Sequence, residues 1–261
     1  MKHVPVLLRE TIEGLNLKSN DNVIDCTLGD AGHSELILES TSPLGKLLGI
    51  DADINAILRA KRFLYKFEDR IILERGNFKN LEQIVQKNNF ENVKGIIIDL
   101  GWSTPQFKER ERGFSFEQDE DLDMRFDAGY ENKLTAREII NSYRADELKD
   151  IFKNYGEEKL AQKIAEQIIE NRKEKEIETT FELVEIILQV YRKKLKTDKE
   201  IPWIGGIHPA TKVFQALRIE VNQELEVLKS ILPQAVNVLE SGGRFVVISF
   251  HSLEDRIVKQ F

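Results

Sequence analysis

Asp25-Cys26-Thr27-Leu28-Gly29-Asp30-Ala31-Gly32-His33-Ser34 is the stretch whose reading decides the fold. Asn22-Val23-Ile24-Asp25-Cys26 before it reads as a short buried strand ending in a carboxylate. Ser34 to Leu38 after it opens a helix, with Leu36, Ile37 and Leu38 as its first apolar residues. Strand, glycine turn and helix in succession form the ligand-binding corner of a doubly wound α/β domain. Gly29 and Gly32 let the backbone pass close to a ligand, and the start of the helix offers unpaired N–H groups. Lys46 to Asp51 is a second buried strand, and Asp51 falls where a ribose hydroxyl pair is held in such corners.

Dinucleotides and S-adenosylmethionine both use this corner. A pyrophosphate wants glycines and N–H groups with no anion nearby. Here Asp25 and Asp30 bracket the turn and crowd a phosphate with negative charge. An ammonium and a sulfonium are instead stabilised by carboxylates through Coulomb attraction. The spacing is Gly-x-x-Gly, short of the full Gly-x-Gly-x-x-Gly. The residues therefore favour the methyl donor over the dinucleotide. A strand–turn–helix without a ligand is the plainer alternative, and Asp51 argues against it.

Outward from the corner, Val6 to Leu15 reads as an amphipathic helix. Ile54, Ile57, Leu58, Phe63 and Leu64 form a helical stripe, and Arg70 to Leu73 a third strand. Phe78 follows that strand, where it either stacks on an adenine or joins the core. Leu81, Ile84 and Val85 continue as a helix, and Gly95 to Leu100 is a fourth strand. Asp25, Asp51 and Asp99 thus cluster acid at the edge of a parallel sheet where ligands bind.

The rhythm breaks at Gly101-Trp102-Ser103-Thr104-Pro105-Gln106, and neither Arg112 to Phe116 nor Leu122 to Asp127 has a regular period. Helical pattern then dominates for some seventy residues. Thr135 with Glu138 and Thr179 with Glu182 have capping-box spacing. This predicts an all-helical insertion over 107–207 between the fourth and fifth strands, overhanging the sheet edge and shaping a substrate pocket. The α/β domain is expected over 1–106 and 208–261. In its second part, Pro233 is expected to break a long helix, and Ser241-Gly242-Gly243 to stop the next one. Arg244 to Phe250 then reads as the fifth strand, delivering His251 and Ser252 to the same edge.

The chain has 261 residues, 41% hydrophobic and 32% charged, which suits one large domain with an insertion. No apolar run approaches the ~18 residues of a membrane span, and Met1-Lys2-His3-Val4-Pro5 has no signal-peptide core, so the expected location is the cytoplasm. One cysteine, Cys26, excludes an internal disulfide framework. The four histidines are scattered, and no metal is expected. A net charge of −7 runs against nucleic-acid binding, although a local patch is sufficient for it. Arg192, Lys193, Lys194, Lys196 and Lys199, set against Asp198, form one such run. It fits a solvated helix end as well as an RNA contact.

Several blocks together resemble a known family, the MraW/RsmH small-subunit ribosomal RNA methyltransferases. They are His3 to Leu8, Asp25 to Ser34, Asp99-Leu100-Gly101 through Pro105-Gln106, Arg112 to Phe116, and Leu122 to Arg125. Later blocks are His208 to Thr211, Phe214 to Ile219 with Val221-Asn222, and Ser249 to Arg256. The resemblance implies a Rossmann-like class I methyltransferase sheet with the helical insertion, and a soluble cytoplasmic enzyme. The implied reaction moves a methyl group from S-adenosyl-L-methionine to the exocyclic N4 of a cytidine in the decoding region of 16S ribosomal RNA, within the small ribosomal subunit. It also implies cofactor contacts at Ala31, Gly32, His33, Asp51, Phe78, Asp99 and Gln106, beside the Asp25 and Gly29 of the corner. Ala31 departs from the family's usual glycine, and Trp102 from a small aliphatic residue. The family pattern continues past the position of Phe261 with further sheet strands and an arginine-rich stretch.

For such a reaction the site must accept hydrogen bonds from the N4 hydrogens and align nitrogen with the methyl carbon. Asp99 and the carbonyls or hydroxyls of Leu100 to Ser103 are the candidate acceptors, Asp99 being expected to bind the cofactor first. Arg112, Phe114, Phe116 and Arg125 are candidate substrate contacts, as are His251 and Ser252. Phe114 and Phe116 equally suit packing, and His251-Ser252 a capped helix start. The competing readings are a nicotinamide-dependent oxidoreductase, a small-molecule methyltransferase, and a non-enzymatic RNA-binding assembly factor.

Overall fold

The computed structural model describes residues 5–101, 112–126, 134–197, 199, 201, 203 and 206–261. The chain divides into two units, Met1–Ser103 with Leu225–Phe261, and Thr104–Glu224.

The first unit is built on five strands: β1 (Asn22–Asp25), β2 (Leu47–Asp51), β3 (Ile71–Arg75), β4 (Val93–Asp99) and β5 (Leu239–Ile248). All are parallel, in the order β3-β2-β1-β4-β5. Near-continuous apolar runs suit strands covered on both faces. Val23, Leu47 and Ile97 point to one face, where they pack with α1 (Leu8–Leu15), α2 (Gly32–Ser40) and α3 (Ile54–Phe63). Ile24, Leu48, Ile50, Ile96 and Ile98 point to the other, against α4 (Leu81–Lys87) and a later helix carrying Leu228, Ile231 and Leu232. Each such side chain, fully buried, contributes about 1.5–3 kcal/mol. This is the doubly wound Rossmann-like sheet expected from the sequence, and its order reverses between β1 and β4.

The second unit carries α5 (Ala136–Ser142), α6 (Ala145–Asn154), α7 (Ala161–Asn171), α8 (Thr180–Leu195) and α9 (Thr211–Asn222). Both expected capping boxes are formed, Thr135 with Glu138 at α5 and Thr179 with Glu182 at α8. Leu148, Ile151 and Phe152 of α6, Ile164 and Ile168 of α7, and Leu183, Ile187 and Val190 of α8 are buried. Their i, i+3/i+4 spacing makes the apolar stripes that let α6 pack on α7 and α7 on α8. Residues 208–224, expected with the sheet, group with the helices because α9 packs on α5 and α6.

Two local expectations are corrected. The helical break lies at Gln223, in the left-handed conformation that closes α9, and α10 (Glu224–Val238) runs through Pro233. Pro233 is exposed, so the Lys229 carbonyl that its missing N–H leaves without a helical partner can meet water. Gly242 and Gly243 do not stop a helix but lie inside β5. The register moves from Val93↔Leu239 to Gly95↔Arg244, so residues 240–243 bulge opposite Lys94, with Gly242 at φ +79. After β5, α11 (Ser252–Gln260) follows. No helix among the described residues is long and apolar enough to cross a membrane.

Candidate cofactor site

Asp25, Asp51 and Asp99 end β1, β2 and β4. They therefore stand at the carboxyl edge of the sheet, on both sides of the β1–β4 reversal, which is the ligand-binding edge of this topology. Their environments differ.

Asp25 is 2% exposed. Its Oδ2 accepts from the Ser34 hydroxyl at 2.6 Å and its Oδ1 from Thr27 N–H at 3.1 Å. Burial pushes its carboxyl up from the usual range, opposed by the Ser34 hydrogen bond and by His33. Asp25 thus braces the turn from beneath. The same burial pushes the neighbouring Cys26 thiol up, consistent with a packing role for that lone cysteine.

Asp51 accepts from Gly29 N–H through Oδ2 (2.9 Å) and from Asp53 N–H through Oδ1 (2.8 Å). One carboxylate so pins the glycine turn to the end of β2. Gly29 sits at φ +50, a conformation that costs glycine nothing. A Cβ there would meet only the Thr27 carbonyl, at 3.8 Å, so this face of the turn is open.

Asp99 N–H donates to the Thr27 hydroxyl at 2.7 Å, and Asp99 Oδ1 accepts from Gly101 N–H at 2.9 Å. Its Oδ2 lies 3.8 Å from His33 Nδ1. His33 is 6% exposed, and its Nε2 faces the Val6 carbonyl at 3.2 Å. A carbonyl only accepts, so Nε2 is the donor in this contact, and Nδ1 is the ring nitrogen on the Asp99 side.

Gly32 plays a different part from Gly29. A Cβ at Gly32 would lie 2.3 Å from Pro5 Cγ, so the missing side chain admits Pro5 onto the start of α2. Ala31 adopts φ +61 as the residue before α2. That left-handed conformation explains why glycine suits this position, and Ala31 carries its strain while fully buried.

Asp30, read from sequence as a charge against phosphate, is paired with Arg59 at 2.9 Å. The preference for a cationic ligand therefore rests on Asp51 and Asp99. Phe78 opens a short 3-10 turn whose Asn77 cap accepts from Lys79 N–H at 2.9 Å, and it packs on the sheet core. The donor set fits S-adenosyl-L-methionine: carboxylate acceptors at two strand ends suit its hydroxyls and cationic groups, and an open glycine turn suits close approach. Trp102, Ser103 and Gln106 lie outside the described residues.

At the end of β5, His251 caps α11. Its Nδ1 accepts from Glu254 N–H at 3.4 Å, while buried Glu254 accepts from Phe250 N–H at 2.8 Å. Ser252 is exposed. The capped helix start is what these residues form.

In the helical unit, Arg112, Phe114, Phe116 and Arg125 belong to an irregular segment that is stapled throughout. Arg112 donates to the carbonyls of Arg125 (3.1 Å) and Phe126 (3.4 Å). Arg125 grips Asp123 with two nitrogens, at 2.8 and 2.7 Å. Burial raises the Asp123 carboxyl, but the Arg125 hydrogen bonds and the charges of Arg125 and Arg112 outweigh it and hold it below the usual range. Phe114 stacks on Phe126, and Phe116 stacks on His208 with centroids 4.7 Å apart. Burial lowers the His208 pKa. Asn222 closes the arrangement, accepting from Phe126 N–H (2.9 Å) and donating to the Met124 carbonyl (2.8 Å). Sequence reasoning missed Thr27, Ser34 and Asn222. Their signal is small: single polar residues whose partners are distant or backbone.

The family model described as the MraW methylase family matches residues 1–261. A ribosomal RNA small subunit methyltransferase H of Clostridium botulinum (strain Loch Maree / Type A3) is 48% identical over 258 residues, 99% of this chain and 80% of the relative. The protein of that name from Clostridioides difficile (strain 630) is 45% identical over 98% of this chain and 80% of its own length. The one from Sulfurihydrogenibium sp. (strain YO3AOP1) is 47% identical, over 99% and 85%. The chain belongs to the MraW methylase family, and S-adenosyl-L-methionine is its cofactor.

Proposed function

We propose that this chain methylates the exocyclic N4 of a cytidine in the decoding region of 16S ribosomal RNA, acting in the cytoplasm on the small ribosomal subunit. The observation that carries the cofactor half is the pair of carboxylates, Asp51 and Asp99, at the ends of β2 and β4 beside the Gly29 turn. The substrate half is supported by the relatives' names and by the family-like blocks through Ser249 to Arg256.

S-adenosyl-L-methionine supplies an electrophilic methyl group on a sulfonium. Asp51 would hold the hydroxyl pair at the end of β2, and Phe78 would flank the adenine. Asp99, backed by Thr27, accepts a hydrogen bond from the cytosine amine. That amine is a weak nucleophile because its lone pair is delocalised into the ring, so orientation matters more than a strong base. Its proton becomes acidic as the nitrogen gains a bond and leaves to an acceptor, for which Asp99 and Ser103 are the candidates. The cytidine must be unstacked to reach such a site. Arg112 and Arg125 act indirectly, by shaping the segment that carries them.

The test compares methyl acceptors. With labelled S-adenosyl-L-methionine, small subunits lacking the modification should take up label in their 16S RNA, and free nucleotides and small amines should not. Calorimetry should show S-adenosyl-L-methionine binding and no NAD binding. Label entering small molecules only, or NAD binding alone, would overturn the proposal.

A further inference from the structure

In the helical unit, one end is rich in ion-paired cations and the other gathers lysines without acidic partners among the described residues, although Arg192 at the end of α8 pairs with Glu185. At the end formed by the start of α5, the start of α6, the end of α7 and the start of α8, charge is paired. Arg137 meets Glu176 and Glu178, Arg144 meets Asp146 and Glu147, Lys173 meets Glu170, and Lys175 meets Glu182.

The other end gathers the end of α6, the loop into α7, the start of α7, the end of α8 and the start of α9. Three contacts bring them together. Tyr191 of α8 donates to buried Glu158 in the α6–α7 loop at 3.0 Å. Lys193 of α8 donates to Gln167 of α7 at 2.7 Å. Gln215 of α9 donates to the Tyr155 carbonyl at 3.0 Å. Lys153, Lys159, Lys163, Lys194, Lys196 and Lys199 all fall at this end, are exposed, and have no acidic partner among the described residues. Lys163, Lys193 and Lys194 line an open groove of about 350 Å³ between α7 and α8. Two acids line it as well, but Glu170 is neutralised by Lys173, and Glu166 accepts from Gln162.

We infer that this end of the helical unit, centred on Lys163, Lys193 and Lys194, is a docking surface for the phosphate backbone of RNA. Segregated charge of this kind is what a protein of net charge −7 needs in order to hold a polyanion. Point charges on flexible stems suit phosphates, whose contacts position the protein without reading sequence. The inference rests on the proposed RNA substrate and adds where that RNA is gripped.

The test measures filter binding of 16S RNA transcript across a potassium chloride series. It compares the unaltered protein with a triple variant, K159Q/K163Q/K194Q, and with a control, K18Q/K61Q/K229Q. Calorimetric titration with S-adenosyl-L-methionine is run on each. The triple variant should bind the cofactor as the parent does, lose about tenfold or more in RNA affinity, and show a salt slope shallower by about three. The control should match the parent. If the triple variant keeps the parent's affinity and slope while the parent methylates RNA, the docking surface is wrong and the proposed reaction stands. If the parent binds cofactor but neither binds nor methylates RNA, both fall. Weakened binding to intact subunits with unchanged binding to bare transcript would assign the surface to an acidic protein and overturn the inference.

Discussion

The Asp99 N–H donates to the Thr27 hydroxyl at 2.7 Å, tying the end of β4 to the turn after β1 across the point where the sheet order reverses. The two loops that frame the cofactor edge are thereby held to each other by one side chain. Thr27→Val preserves shape and removes the acceptor. Leaving that N–H without a partner should cost about 1–3 kcal/mol, seen in denaturant unfolding, and weaken S-adenosyl-L-methionine binding in calorimetry. Unchanged binding would mean that the two loops keep their places without this bond.

Asp51 serves two N–H groups at once. Asp51→Asn keeps one good acceptor and turns an amide donor toward the other N–H. Cofactor affinity should fall about tenfold or more, a loss of ~1.4 kcal/mol, and the N–H left facing a donor should cost about 1–3 kcal/mol in denaturant unfolding. Lowered stability with unchanged cofactor affinity would place Asp51 in folding alone.

Ala31 offers a strain test. Its φ of +61 costs roughly 1–2 kcal/mol for an L-residue, and its buried methyl returns ~0.8 kcal/mol. Ala31→Gly should therefore shift stability by less than about 1 kcal/mol. Ala31→Val, β-branched at positive φ, should destabilise by ~2 kcal/mol or more in the same unfolding assay.

Asp25 gives the fold a pH dependence. Its carboxyl is raised by burial from an unfolded value of 3.8. The folded state therefore binds a proton more tightly than the unfolded state does. The stability from this proton is fully present below 3.8 and is lost as pH rises through the folded pKa. Asp25→Asn cannot charge, so its stability relative to the parent should rise with pH across that window and level off above it. Parallel stability–pH curves for the two proteins would contradict this account.

The ends of β1, β2 and β4 were legible because each is an apolar run closing on aspartate, and chemistry and topology agree there. Capping boxes were legible because both partners lie within three residues of each other. The role of Asp30 was not, since Arg59 reaches it from a different helix. Nor was the place of Gly242 and Gly243, because glycines that end a helix and glycines that bulge a strand read alike until the register is known. The packing of Pro5 against Gly32 was not legible either, being a contact between residues far apart along the chain. The intramolecular partners of Arg112 and Arg125, read as candidate substrate contacts, were not legible because those carbonyls and the Asp123 grip depend on the fold of an aperiodic segment.

The most direct test of the central claim is nucleoside analysis of 16S RNA after methyl transfer from isotopically labelled S-adenosyl-L-methionine to small subunits lacking the modification. The account predicts label in N4-methylcytidine from the decoding region, and its loss with Asp99→Ala in a protein that still folds. Label on a ring carbon, on a ribose oxygen or on another base would contradict it.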